Sequence, residues 1–324
     1  MMVAIDPHGR WKPHGRPHYA GLQSFGARPY TESVDDLAGV DVAIVGAPLD
    51  ELVTDLPGAR LGPRAIRIAS NGFGGVHLDA GVDPFEALRV VDFGDAAVIP
   101  ADPVASHAAI ERIVGDVVDA GAIPLILGGD HSIAEPDIRA CAERHGPLGL
   151  IHFDAHTDTG RELWGVERSH GTPMYRLVEQ RHVAGERYAQ VGLRGYWPGE
   201  EEFAWQRERG IRSILMREVI ERGIQESVAT AIETIGTGPV FASIDVDVLD
   251  PAFAPDTGTP EPGGMTSADL LWACRELAAG LELVGADVVE VMPPAGGGPD
   301  ITSLVGARIA FELITGLAVR KART

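Results

Sequence analysis

The stretch GLIHFDAHTD, residues 149–158, decides the fold class, because a short apolar run ends abruptly in acidic and imidazole side chains. Similar apolar runs recur along the chain, and amphipathic segments with apolar residues at i, i+3, i+4 and i+7 follow them, as at 104–119. Strands too apolar to alternate, each followed by a helix, predict a parallel sheet with helices on both faces. This pattern allows either a closed barrel or an open three-layer sheet. The predicted strands are residues 40–45, 88–92, 123–127, 149–153, 188–193, 211–215, 240–244 and 286–291.

The composition indicates one folded domain with an acidic surface. The chain has 324 residues, of which 45% are hydrophobic, and it contains no stretch typical of a linker. We expect a single domain at residues 36–324 after an N-terminal arm at residues 1–35, in which His8, His14 and His18 lie among Pro and Gly. The net charge of −20 argues against nucleic-acid binding, and Cys141 and Cys274 are expected as buried thiols. No apolar leader or membrane-spanning segment is expected, which favours a cytoplasmic protein.

Acidic and imidazole side chains stand at the ends of several predicted strands. Because the carboxyl ends of parallel strands meet at one edge of a sheet, these side chains are expected to lie together. Four carboxylates cannot be buried together in ionised form unless a cation neutralises them. Carboxylate and imidazole ligands without thiolate favour Mn²⁺, with Zn, Ni or Fe as alternatives. The candidate metal ligands are His131, Asp154, His156, Asp158, Asp245 and Asp247.

The spacing of these residues predicts two metal ions. Alternate residues of an extended segment share one face, so Asp154, His156 and Asp158 point the same way, as do Asp245 and Asp247. Six ligands are too many for one hydrolytic metal that must leave room for water, whereas two bridging carboxylates would give each of two metals four protein ligands. Such a pair lowers the pKa of a shared water from about 15.7 towards 7 and supplies a nucleophile at neutral pH.

Five motifs together resemble the ureohydrolase superfamily of arginase, agmatinase and their relatives, and most closely its agmatinase branch. They are GGDHS at 128–132, DAHTDT at 154–159, SHGTP at 169–173, SIDVDVLDPAFAPDTGTPEPGG at 243–264 and VVEVMPP at 288–294. PGARLGPRAIR at 57–67 resembles a further segment of that branch, and the likeness runs from about residue 42 to residue 318. The resemblance implies an open α/β/α sandwich with a mainly parallel eight-stranded sheet, and it decides against the barrel.

The resemblance also implies roles for individual residues. His170 matches an acid/base histidine that protonates the leaving amine, and Glu290 matches the carboxylate that pairs with a guanidinium group. Thr259 matches a position near the substrate, and Asp158 would help to steady the tetrahedral intermediate. The products would be urea and an amine. One Mn²⁺ would be held by His131, Asp154, Asp158 and Asp245, and the other by Asp154, His156, Asp245 and Asp247, with Asp154 and Asp245 bridging.

The segments expected to recognise the rest of the substrate depart from the agmatinase pattern. Leu52 stands where relatives usually have Gly, and Asp55 and Leu56 replace an aromatic residue and Arg. One hypothesis is that Asp55, Glu162 or Glu167 pairs with a cationic tail such as the amine of agmatine.

A second hypothesis is a narrow, dry pocket. Met292 replaces a small polar residue, and with Leu52 and Trp164 it would restrict the substrate to free guanidine, an alkyl-guanidine or a biguanide, with nickel as the alternative metal. We favour an agmatinase-like activity on a small guanidino substrate, with guanidinobutyrase or guanidinopropionase activity as further alternatives.

Two other classes of protein are less well supported. A single-metal deacetylase would need only one Asp-x-His pair and one further Asp, whereas the chain has a complete second set of ligands. A non-catalytic accessory subunit would be expected to have lost ligands. By resemblance, a homo-oligomer, either a trimer or a hexamer, is expected.

Overall fold

The computed structural model describes residue 17 and residues 19–72, 74–196, 199–294 and 298–323. One sheet runs through the described part. Its strands are β1 (Val42–Ala47), β2 (Val90–Asp95), β3 (Ile123–Gly128), β4 (Leu148–Phe153), β5 (Val183–Leu193), β6 (Arg212–Leu215), β7 (Pro239–Asp245) and β8 (Glu282–Val289).

The strands are hydrogen-bonded in the order β2-β1-β3-β8-β7-β4-β5-β6, and each neighbouring pair is parallel. β2 and β6 are therefore the two edge strands and do not pair with each other, so the sheet is open and not a barrel. All six residues of β1 and of β4 are buried, which explains why these strands are continuously apolar and not alternating. The open, eight-stranded parallel sheet confirms the predicted fold class.

Helices cover both faces of the sheet, and two layers follow from their mutual contacts. The helices are α1 (Gly62–Ser70), α2 (Pro84–Ala87), α3 (Pro103–Asp119), α4 (Ala134–His145), α5 (Pro173–Glu179), α6 (Glu200–Glu208), α7 (Met216–Arg222), α8 (Ile224–Ile235), α9 (Ser267–Gly280) and α10 (Ile301–Arg323). One layer packs α3, α4 and α5 in a row, and the other packs α1, α10, α9, α8 and α7.

The longest helix, α10, packs closely against α9. A side chain at Gly316 would place its Cβ 2.4 Å from the carbonyl oxygen of Arg275, so glycine permits this approach. By length and composition α10 could cross a membrane, which corrects the expectation that no segment is long and apolar enough. However, 78% of its most apolar window is buried, as in the core helix of a globular domain.

The described part of the predicted N-terminal arm contacts the domain. Phe25 is fully buried, its ring lies 5.0 Å from that of Phe311, and its backbone N–H donates to Asp92. The histidine-rich portion, with His8, His14 and His18, lies outside the described residues. The division at residues 35 and 36 stays a prediction.

Candidate metal centre

The site lies at the carboxyl ends of four strands that are neighbours in the sheet. β3, β8, β7 and β4 lie side by side, and His131, Glu290, Asp245 and Asp154 stand at or just after their ends. The strand order therefore brings together side chains that are far apart in the chain, as the predicted parallel sheet requires.

Local hydrogen bonds shape the turn that follows β3. Gly129 has no room for a side chain, because a Cβ there would stand 2.2 Å from the carbonyl oxygen of Leu49. Asp130 then caps the turn by accepting hydrogen bonds from the backbone N–H of Ser132 at 2.9 Å and of Leu52 at 3.1 Å. Asp130 thus holds the turn that carries His131 against the segment after β1.

Three carboxylates surround one nitrogen of His131, which is fully buried. Its Nδ1 lies 3.1 Å from Asp154 Oδ2, 2.9 Å from Asp158 Oδ2 and 3.3 Å from Asp245 Oδ2. These four residues are the set that the resemblance implies for one metal ion.

A second group shares Asp154 with the first. His156 Nδ1 lies 3.4 Å from the other oxygen of Asp154, Oδ1, and 2.9 Å from Asp247 Oδ2. Asp154 therefore directs one oxygen to each group, as expected of a bridging carboxylate. Asp245 is adjacent to the second group through its Oδ1, which accepts a hydrogen bond from the backbone N–H of Asp247 at 2.8 Å.

These residues fit a pair of divalent cations. Two donor atoms that share a metal at about 2.1–2.2 Å stand about 3.0–3.5 Å apart, and the distances around His131 and His156 match that separation. His131 Nδ1 makes no hydrogen bond of normal geometry with any described group, although it is buried. A buried nitrogen that faces only carboxylate oxygens is suited to a metal.

The electrostatics of the cluster support the same interpretation. Burial, together with the charges of Asp247 and Asp154, raises the pKa of Asp245 well above its ordinary value. Burial and the charge of Asp154 also raise the pKa of Asp247, to about 6. A cation between these carboxylates would relieve that repulsion.

Buried partners orient the ligands, and sequence reasoning missed them. His131 Nε2 lies 2.8 Å from Ser243 Oγ, and that hydroxyl donates to Asp287 at 2.8 Å. Because the Ser243 hydrogen is committed to Asp287, the serine oxygen accepts from His131 Nε2–H, which leaves Nδ1 unprotonated for a metal. His152 Nε2 similarly lies 2.7 Å from Asp154 Oδ2.

His170, the predicted acid/base residue, is held between Glu290 and Thr54. Its Nδ1 lies 2.9 Å from Glu290 Oε1, and its Nε2 lies 2.6 Å from Thr54 Oγ1 and 3.0 Å from Thr54 N. A backbone N–H can only donate, so in the neutral form of the ring Nε2 accepts and Nδ1–H donates to Glu290. Burial lowers the pKa of His170, but the hydrogen bond and charge of Glu290 raise it to about 9. Thr54 was not predicted.

The two carboxylate oxygens of Glu290 differ in their hydrogen bonding. Oε1 accepts from His131 N at 2.9 Å and from His170, whereas the buried Oε2 has no hydrogen-bond partner among the described residues. Glu290 and Asp158 also have left-handed backbones, with φ of 61° and 50°, a conformation that is uncommon outside glycine and that often occurs at functional sites.

The other predicted substrate-binding residues lie at the edge of the metal cluster or are exposed to solvent. Thr259 Oγ1 lies 3.5 Å from Asp247 Oδ2, at the edge of the metal cluster. Trp164 is 85% exposed in the turn between Leu163 and Val166. Asp55 is exposed beside Thr54. The roles predicted for these residues stay predictions.

A family model, relatives of known name and a solved structure were compared with this chain, and all three comparisons indicate the same family. The model of the arginase family matches residues 40–316. The chain is 45% identical to guanidinopropionase of Pseudomonas aeruginosa, over 95% of each chain, and 40% identical to mitochondrial agmatinase of Gallus gallus, over 85% of this chain and 81% of the relative. The solved structure of proclavaminate amidino hydrolase from Streptomyces clavuligerus superposes with a TM-score of 0.87 at 36% identity, covering 94% of this chain and all of that one.

Proposed function

This chain belongs to the arginase family, and on that basis we propose that it is a metal-dependent hydrolase that cleaves a guanidino compound to urea and an amine. The observation that carries the proposal is the buried Oε2 of Glu290, which has no hydrogen-bond partner within the described part of the chain. A buried carboxylate oxygen with no partner is costly unless a cation or hydrogen-bond donor reaches it. A guanidinium group provides both the charge and the donors.

The metal ligands would hold the group that activates water. His131, Asp154, His156, Asp158, Asp245 and Asp247 would bind two divalent cations, which supply an activated water as nucleophile and stabilise developing negative charge. We propose Mn²⁺ from the carboxylate-rich donor set, with Ni²⁺ as the alternative.

The remaining chemistry falls to residues of this chain. Glu290 orients the guanidinium carbon towards the metal cluster through Oε2. Its Oε1 fixes the ring of His170 by accepting from Nδ1–H. After attack on the carbon, the departing amine needs a proton, which the protonated ring of His170 would deliver from Nε2, returning to the neutral form whose Nδ1–H stays on Glu290. Asp158 contributes to the polar surroundings of the tetrahedral intermediate.

We propose an ω-guanidino acid as the favoured substrate class. The supporting observation is the 45% identity to a guanidinopropionase over nearly the whole length of both proteins. Agmatine is the second candidate. Asp55 is exposed and follows Thr54, which contacts His170, so a carboxylate at this position would attract a cationic tail. A cytoplasmic homo-oligomer acting without nucleic acid or membrane is also part of the proposal.

The test is a urea assay on purified protein loaded with Mn²⁺ and, in parallel, with Ni²⁺. The substrates are 3-guanidinopropionate, 4-guanidinobutyrate, agmatine, arginine, free guanidine and methylated guanidines or biguanides. Urea from one of these compounds is expected. Glu290→Gln should abolish it, whereas Glu282→Gln, at the exposed start of β8, should not. No urea from any compound, with two metals bound per chain, would contradict the proposal.

A further inference from the structure

A glutamate is buried in the first turn of α4, the helix that begins directly after the turn carrying His131. Glu135 is 1% exposed, although a glutamate is rarely buried unless a partner balances its charge. Its Oε2 lies 2.7 Å from both Nε and Nη2 of Arg176, which is buried on α5. Its Oε1 lies 3.6 Å from Nη2 of Arg168 and 3.5 Å from Nη1 of Arg139. Three guanidinium groups therefore converge on one buried carboxylate.

Two of these guanidinium groups connect α4 to the loop that carries the predicted acid/base histidine, residues 167–172. Arg168 lies within this loop. Arg176 lies beyond it, and its Nη1 donates to the carbonyl oxygen of Glu167 and, at 3.2 Å, to Thr172 Oγ1. The loop is thus joined to α4 near both of its ends.

Thr172 connects Arg176 to the main chain beside His170. The backbone N–H of Ser169 donates to Thr172 Oγ1 at 2.9 Å, and the Thr172 hydroxyl lies 2.9 Å from the carbonyl oxygen of Glu167 as a donor. Ser169 is the residue that precedes His170. The position of the histidine backbone therefore depends on side chains that end at the buried ion pair between α4 and α5.

The ion pair is better suited to fixing a position than to adding stability. The cost of removing two charges from water offsets most of their attraction, so a buried pair contributes little net stability. A guanidinium group is planar and presents its donors in a fixed fork, so it sets the distance and angle between the groups that it bridges. Here the groups bridged are Glu135 on α4 and the loop at residues 167–172.

On the basis of the function proposed above, we propose that Glu135 is a positioning residue for the proton transfer to the departing amine. Through Arg176 it holds the loop at residues 167–172 so that His170 Nε2 faces the amine. Glu135 stands four residues after His131, on the helix that continues the metal-bearing turn, so the pair fixes the proton donor relative to the metal cluster.

The proposal separates proton transfer from binding. Among the described hydrogen bonds and ion pairs, none joins Glu135 or Arg176 to a metal ligand or to Glu290. Loss of the pair should therefore lower kcat and leave KM and the bound metal nearly unchanged.

The first experiment measures amide hydrogen exchange by mass spectrometry in metal-loaded wild type, Glu135→Gln and Arg176→Lys. Arg176→Lys keeps the positive charge beside Glu135, so it protects against a variant that fails to fold, but it lacks the fork that reaches the loop. We expect the amides of residues 168–172 to exchange at least about tenfold faster in both variants, with β4 and β7 unchanged. Glu143→Gln, at an exposed position of the same helix, is the matched control. Unchanged exchange at residues 168–172 would overturn the proposal.

The second experiment asks whether Glu135 acts through His170. We expect Glu135→Gln to lower kcat for urea formation about 10–100-fold, with KM and bound metal within about twofold of wild type. The same substitution in a His170→Ala background should lower the residual kcat no further. An equal fall in both backgrounds would indicate a general structural role and refute the proposal. Failure of the wild-type protein to hydrolyse any guanidino compound would instead refute the proposed function, and the exchange experiment would still decide whether the ion pair holds the loop.

Discussion

The hydroxyl of Ser243 is expected to control how tightly one metal is bound. In Ser243→Ala, His131 Nε2–H loses the acceptor that lies at 2.8 Å, and Asp287 loses the donor that lies at 2.8 Å. Of the hydrogen bonds that the described residues make to Asp287, the longer one from Ile244 N, at 3.3 Å, is then left. The ring of His131 is then free to turn or to take its proton on Nδ1, the atom that faces the metal.

The size of the effect follows from burial. Leaving one buried donor unsatisfied costs about 1–3 kcal/mol, and loss of a hydrogen bond that orients a metal ligand typically reduces metal affinity about 10–100-fold. Since about 1.4 kcal/mol corresponds to a factor of ten, the two figures agree. The second group, around His156, has no contact with Ser243 among the described hydrogen bonds, so its affinity should change less.

Metal affinity is measured by titrating metal-free protein with Mn²⁺ against a competing fluorescent chelator. We expect one of two dissociation constants to rise about 10–100-fold in Ser243→Ala. Ser227→Ala is the control, because the hydroxyl of this buried serine in α8 donates to the carbonyl of Gly223, the residue just before the helix. Two dissociation constants within twofold of wild type would show that Ser243 does not orient His131.

Three further predictions concern stability. Arg194 donates to the main-chain carbonyls of Asp247 at 2.7 Å and Leu249 at 3.1 Å, so Arg194→Lys should lower the free energy of unfolding of the metal-free protein by about 3 kcal/mol in urea; a loss below about 0.5 kcal/mol would contradict this. Burial lowers the pKa of His107 from 6.5 to about 4, so the unfolded chain binds the extra proton between these pH values and stability falls as the pH falls. Between pH 7 and pH 5 wild type should lose about 2 kcal/mol more than His107→Gln in urea denaturation, and equal losses would contradict the assignment. Removal of metal by a chelator should lower Tm by several degrees in a scanning calorimeter, since free metal at 100 times its Kd contributes about 2.7 kcal/mol per site; an unchanged Tm would mean that no metal was bound.

Much of the fold was predictable because parallel strands are buried on both faces. β4 and β7 appear in the sequence as apolar runs, and the predicted ranges 149–153 and 240–244 lie within them. The predicted start of β5 was wrong, since the predicted strand begins at residue 188 and the observed strand begins at Val183. The first five residues include Glu186 and Arg187, which are at least partly exposed, so they carry no apolar pattern.

A residue of the site could be predicted from the sequence when it lies in a short motif with other site residues. The six candidate metal ligands are clustered in short motifs, and the structure brings them together. His152 could have been predicted, because it stands two residues before Asp154 in an extended strand and shares its face. Thr54 could not, since 116 residues separate it from His170 and an isolated threonine carries no signal.

The position of β8 in the sheet has a consequence for the order in which the protein is assembled during synthesis. β8 is the last strand to leave the ribosome, yet it lies between β3, which precedes His131, and β7, which ends in Asp245. Until residues 282–289 emerge, the two halves of the nascent sheet have no strand to join them, and His131 is separated from the carboxylates that it later faces. Chains emerge N-terminus first at about 5–20 residues per second, so the growing chain spends several seconds with only partial sets of ligands. Metal capture is therefore expected as a late event that reports on completed assembly.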